Sequence, residues 1–187
     1  MHMEEDQLNN IPEEFYSFNT GQPFCECSDC GKDLLEPNVM YVIEKAIRQY
    51  AGYAAKDVIF EVAICLECVE RMKNEISAES MSNMMKFYEE MMMNGISLQP
   101  EELLTKCAAT GTPREELTNY QINALCNGSK LSPLQPPYLI SGVVLDEMND
   151  ILSDETRDFL DDYQQKFIGP SPEWVTDDVP GGRFVLI

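Results

Sequence analysis

The chain has 187 residues, 44% of them hydrophobic and 25% charged, and 13 Lys and Arg against 33 Asp and Glu leave a net charge of −20. Those values describe a globular protein of one domain or two small ones rather than a disordered chain. So acidic a protein lacks the cationic surface that draws nucleic-acid phosphates, and no nucleic-acid partner is expected. The single histidine, His2, sits in a Met-His-Met start that reads as a cloning remnant. Without another histidine, serine–histidine and cysteine–histidine catalysis and histidine-based metal hydrolysis have no residue to run on.

In chain order, residues 1–22 carry Glu4, Glu5, Asp6, Glu13 and Glu14 with no Lys or Arg. They read as a flexible acidic arm, with Phe15, Tyr16 and Phe18 as one anchoring aromatic cluster. The start lacks the basic head and apolar run of a secretory signal, and no stretch approaches the ~18 apolar residues of a membrane span. The expected setting is the cytoplasm, away from membranes.

The body is expected from Pro23. Cys27-Ser-Asp-Cys30-Gly31-Lys32 leads to two strand-like runs, Met40–Ile47 and Val58–Ile64, with a turn over Gln49–Asp57 between them. The second run passes into Cys65-Leu-Glu-Cys68, and Val69–Glu75 reads as a helix. Ser77 then offers an N-cap, with Glu79 in the first turn of a helix over 78–93. Met81, Met84, Met85, Tyr88 and Met92 share one face of that helix, which is expected to cover the cysteine-bearing unit. Met91, Met92 and Met93 are consecutive and cannot all point inward, so the Met-rich helix is also where a protein partner or a second copy would dock.

Gly95–Pro100 divides a first unit, 23–95, from a second, 96–187. The second overlays the first in order. Cys107-Ala-Ala-Thr110-Gly111 matches Cys27-Ser-Asp-Cys30-Gly31 at an offset of 80, and Tyr120-Gln-Ile122 matches Tyr41-Val-Ile43 at 79. Tyr138–Met148 matches Val62–Met72 at 76, as Leu152-Ser-Asp-Glu-Thr156 matches Ile76-Ser-Ala-Glu-Ser80. Self-similarity over so long a period is the mark of a duplicated unit. A short helical turn near Pro113, a strand over Asn119–Cys126 and a helix over about 154–167 are expected. The eleven carboxylates of 146–178 read as a solvated face. Gly169–Trp174 reads as a turn docking the lone tryptophan, and Phe184–Ile187 as a final strand or apolar tail.

The chemistry lies in the cysteines. Seven are present, and four form two Cys-x-x-Cys pairs separated by residues 31–64. Two such pairs can present four thiolates to one tetrahedral zinc ion, so Cys27, Cys30, Cys65 and Cys68 are the candidate ligands. Gly31 allows the left-handed turn that aims backbone N–H groups at the sulfurs, and Lys32 offsets part of the charge. Cys25 with Cys27 is an alternative first pair. Strand, Cys65-Leu-Glu-Cys68 and helix is also the setting of a thioredoxin-like dithiol, and iron–sulfur ligation stays open. Cys107 and Cys126 read as buried apolar thiols.

The order Cys-x-x-Cys-Gly loop, strand, turn, strand and Cys-x-x-Cys opening a helix resembles the treble-clef zinc finger over residues 24–76. That resemblance implies a knuckle, a β-hairpin and a helix whose first turn carries the last two ligands. Treble clefs that act as nucleases usually use a histidine at the metal, which this body lacks. The expected fold is α+β, a treble-clef-like zinc unit followed by a metal-free β-β-α-α degenerate repeat. The expected function is a non-enzymatic protein-interaction or adaptor module with a structural zinc site of four cysteines. The alternatives are a thiol-based redox or zinc-responsive sensor using Cys25, Cys27 and Cys30, and a carboxylate-dependent enzyme.

Overall fold

The structure, a computed structural model, describes residues 10–50, 55–94 and 98–168. The first nine residues of the expected arm, the Trp174 turn and the Phe184–Ile187 tail lie outside the described residues. Strands β1 (Met40–Gln49) and β2 (Lys56–Cys65) lead to helices α1 (Leu66–Lys73) and α2 (Ala78–Asn94). Strands β3 (Asn119–Asn127), β4 (Lys130–Leu131) and β5 (Tyr138–Ser141) lead to helices α3 (Gly142–Asp150) and α4 (Asp154–Ile168).

These strands form one antiparallel sheet in the order β2-β1-β3, with β4 and β5 both pairing the far side of β3. The two long central strands pair with each other so that Glu44 stands directly opposite Asn123, Ile43 opposite Ala124 and Lys45 opposite Ile122. Alternation puts Tyr41, Ile43, Lys45 and Ile47 on one face and Val42, Glu44 and Ala46 on the other. Both faces are covered, so β1 is buried almost throughout, polar residues included. Lys45 is tolerated there because its ammonium lies 3.1 Å from the Glu61 carboxylate.

One hydrophobic core contains residues of both halves, from Phe15 and Leu34 through Ile64 and Met84 to Ile140, Leu145 and Tyr163. Helix α4 packs against β2, an element of the other half. The two inter-helix turns meet at a cluster of hydroxyls. Ser77 Oγ lies 2.9 Å from Ser153 Oγ, the Ser153 N–H donates to Ser80 Oγ at 2.8 Å, and the Ser77 N–H donates to Thr156 Oγ1 at 3.1 Å. Ser77 and Ser153 also cap their own helices, accepting from the N–H groups of Ser80 and Thr156.

Four expectations need correction. The arm does not extend to residue 22 as free chain: Ile11 and Phe15 are core residues, Phe15 within a 3-10 turn over Glu13–Phe15. Of the aromatic cluster, Phe15 anchors while Phe18 is exposed. The helix after the second cysteine pair starts at Leu66, not Val69, because Cys65 is its extended N-cap. On α2, Met85 turns outward and Met84 is buried, with Phe87 packed against the core. Clustered methionines give periodicity little to discriminate with.

Candidate metal centre

The first Cys-x-x-Cys forms a tight turn. The Gly31 N–H donates to the Cys27 carbonyl at 2.8 Å, and the Cys27 N–H donates to the Lys32 carbonyl at 2.8 Å. Gly31 has φ 72°, a left-handed value that costs a side chain strain and glycine little. The turn is stitched to the sheet edge. The Ser28 N–H donates to the Ala63 carbonyl at 2.8 Å, and Ser28 Oγ accepts from the Ala63 N–H at 3.1 Å. Strand β2 thus delivers Cys65 beside Cys27, and one turn of α1 brings Cys68 to the same point.

The four sulfurs lie within 4.8 Å of one another. Cys27–Cys68 is 3.7 Å, Cys30–Cys65 3.8 Å and Cys65–Cys68 3.4 Å. Four thiolates at ~2.3 Å from one ion stand about 3.8 Å apart, so the spacing fits a tetrahedral metal site. Cys27, Cys65 and Cys68 are buried and Cys30 faces solvent. Among the described residues this is the group of three or more His, Cys, Asp or Glu that could hold a metal ion. Cys25 is exposed and outside it.

The electrostatics fit a cation. Burial pushes the Cys27 thiol up, but the backbone N–H groups of Cys65, Cys30 and Asp29 outweigh it and bring it to about 7. The Cys65 N–H stands 3.4 Å from Cys27 Sγ. Burial and the neighbouring thiols raise Cys68 well above the usual range, and burial raises Cys65. Sulfurs this close compete for negative charge, and a bound dication removes that competition.

Two residues beyond the four cysteines, Arg71 and Asp29, also act here. Arg71 Nη2 donates to Cys68 Sγ at 2.9 Å and to Asp29 Oδ2 at 3.0 Å, tying α1 to the turn. Sequence reasoning missed both, although Arg71 lies three positions after Cys68, on the same helix face. Lys32, expected to offset the charge, pairs with Glu67 at 2.7 Å.

The second turn repeats this backbone geometry without the ligands. The Gly111 N–H donates to the Cys107 carbonyl at 2.8 Å, the Cys107 N–H to the Thr112 carbonyl at 2.9 Å and the Ala108 N–H to the Leu139 carbonyl at 2.8 Å. Gly111 has φ 68°. Cys107, Thr110, Ser141 and Val144 show the same order of burial as the four cysteines: buried, exposed, buried, buried. Cys107 and Cys126 are both fully buried.

No known family model, curated protein or solved structure matches the chain. Among the described residues no helix is long and apolar enough to cross a membrane.

Proposed function

We propose that Cys27, Cys30, Cys65 and Cys68 bind one zinc ion in a treble-clef-like unit, and that this ion is structural. The observation that carries the reading is the set of four sulfurs within 4.8 Å, drawn from two segments joined besides by hydrogen bonds at the sheet edge and by the Arg71–Asp29 and Lys32–Glu67 ion pairs. Four soft donors in a tetrahedron suit zinc, and a site closed by four protein ligands leaves no position for substrate. The ion would hold the knuckle to the β2–α1 junction, so metal affinity here is folding energy.

The second half reads as a degenerate copy of the first. Three observations support duplication: the matched turns at Gly31 and Gly111, the reciprocal hydroxyl cluster of Ser77, Ser80, Ser153 and Thr156, and the pairing of Glu44 with Asn123. The last two residues are equivalent under the offset of 79, so the β1–β3 pairing is that of an internal pseudo-two-fold axis. Val144 cannot donate a ligand, and this half is held by apolar packing.

With zinc given a structural role, the protein is read as a non-enzymatic interaction or adaptor module. Its contact surface is assigned to α2, which leaves Met85 and Met93 exposed. A sensor reading finds support in the exposed thiols of Cys25 and Cys30. Elemental analysis and a thiol count on purified protein, repeated on Cys30→Ser, separate the two. One zinc per chain, with lower occupancy and a lower melting temperature in the variant, supports the structural site. A reversible disulfide without bound metal supports the sensor.

A further inference from the structure

A cleft of about 270 Å³ lies between α2 and the second half of the chain, far in sequence from the cysteine cluster. Its walls come from Tyr88 and Met91 of α2, Ala108 of the second turn, Tyr138 and Ile140 of β5 and Met148 of α3. The surface these side chains present is almost wholly hydrocarbon.

Behind the wall lies a polar layer that the fold leaves incompletely satisfied. The Tyr88 hydroxyl oxygen is shut off from solvent and has no hydrogen-bond partner. Gln121 Oε1 and Asn123 Nδ2 are in the same state, in residues 0% and 5% exposed. Gln121 Nε2 is committed, donating to Asn123 Oδ1 at 2.7 Å and to Glu44 Oε2 at 3.2 Å. Tyr138 and Gln135 line the cleft and also a small void that touches Glu44 and Asn123. Buried polar atoms in native proteins are nearly always paired, so a cluster of orphans beside an apolar cleft calls for a cause. Apolar walls with a few convergent polar groups are the usual make-up of a ligand site.

We propose that this cleft binds a small uncharged molecule with a flat or branched hydrocarbon body and one hydroxyl or carbonyl oxygen, the oxygen meeting the Tyr88 hydroxyl. The size suits two fused six-membered rings, since ligand clefts for larger compounds run upward from about 300 Å³. The ligand is neutral because nothing in the wall can pair with a charge. The ionisable group behind it, Glu44, is 3% exposed, and burial raises it to about 8, so it is itself uncharged at neutral pH. Met91, one helical turn from Tyr88, is unbranched and can turn aside as the oxygen enters. The proposal stands apart from the metal reading and does not require it.

The test uses the full-length protein with its metal content as purified. 2-Naphthol is titrated in and followed by amide and methyl chemical shifts, with naphthalene as the hydroxyl-free control. The expected result is saturable binding, with intermolecular NOEs from 2-naphthol to the methyls of Ala108 and Met148 in the unaltered protein. 2-Naphthol should bind about fivefold tighter than naphthalene, the size of effect one neutral hydrogen bond gives. Tyr88→Phe should erase that difference. Ala108→Leu, which fills the cleft and leaves the hydroxyl in place, should weaken both compounds by more than about tenfold. Equal affinity for the two compounds in the unaltered protein would overturn the assignment of the head group. Absence of saturation, NOEs elsewhere, or shifts of these residues that follow protein concentration without probe, as a second copy in the cleft would give, would each overturn the site.

Discussion

The Ser141 N–H donates to Cys107 Sγ at 3.3 Å, as the Cys65 N–H does to Cys27 Sγ at 3.4 Å. In both halves a sulfur in the turn receives the amide that closes a strand and opens a helix, and Cys65 and Ser141 share an extended N-cap conformation. Under the duplication reading, only side-chain chemistry separates the second half from a metal site. The combined variant Thr110→Cys, Ser141→Cys, Val144→Cys should then raise bound zinc from one ion per chain to two, measured by elemental analysis. A variant that folds, as judged by its amide spectrum, yet gains no metal would count against equivalent turns.

Arg71 is expected to slow metal loss. Its guanidinium Nη2 bridges Cys68 Sγ and Asp29 Oδ2, charge-assisted contacts that would hold a metal-bound Cys68 thiolate in place. Arg71→Ala should release zinc several-fold faster when challenged with a thiol-alkylating reagent, read out with a chromogenic chelator. Arg71→Lys should rescue only in part, because a strongly hydrated ammonium on a flexible stem holds the two acceptors less firmly than a guanidinium nitrogen. Equal release rates in all three proteins would remove Arg71 from this role.

Glu44 is expected to make stability pH-dependent. Burial raises its carboxyl from 4.5 to about 8, against a smaller lowering by the Gln121 side chain. A proton held by the folded state and already lost by the unfolded state favours unfolding as pH rises. The contribution of Glu44 is therefore fully present below pH 4.5 and declines until about pH 8. Glu44→Gln should flatten that decline, and at alkaline pH it should be the more stable protein by several kcal/mol. Chemical denaturation across this pH range tests it, and parallel curves for the two proteins would exclude Glu44 as the source.

The charge of −20 sets an expectation for nucleic acid. At ~0.15 M salt no affinity for duplex DNA or RNA should be measurable by fluorescence anisotropy, because 33 Asp and Glu outnumber 13 Lys and Arg, the residues whose binding releases counterions. Salt-dependent micromolar binding would contradict it.

Residue spacing marked Cys27, Cys30, Cys65 and Cys68 and the recurrence at Cys107-Ala-Ala-Thr110-Gly111, and β-branched and aromatic content marked the strands around them. Thiolate sites and tight turns are local, so their residues must stand a few positions apart and leave a written pattern. Cys-x-x-Cys-Gly already favoured Cys30 over Cys25, but how the turn docks against β2 was not written there. The same holds for Arg71 on Cys68 and for the outward turn of Met85. Tertiary packing alone decided the pairing of β1 with β3, which carries Glu44 into the centre of the sheet against Asn123. A lone glutamate in a strand reads as a solvent-facing residue until the partner strands and the helix above it are known. Burial is a property of what covers a side chain, and that cover comes from residues some eighty positions away.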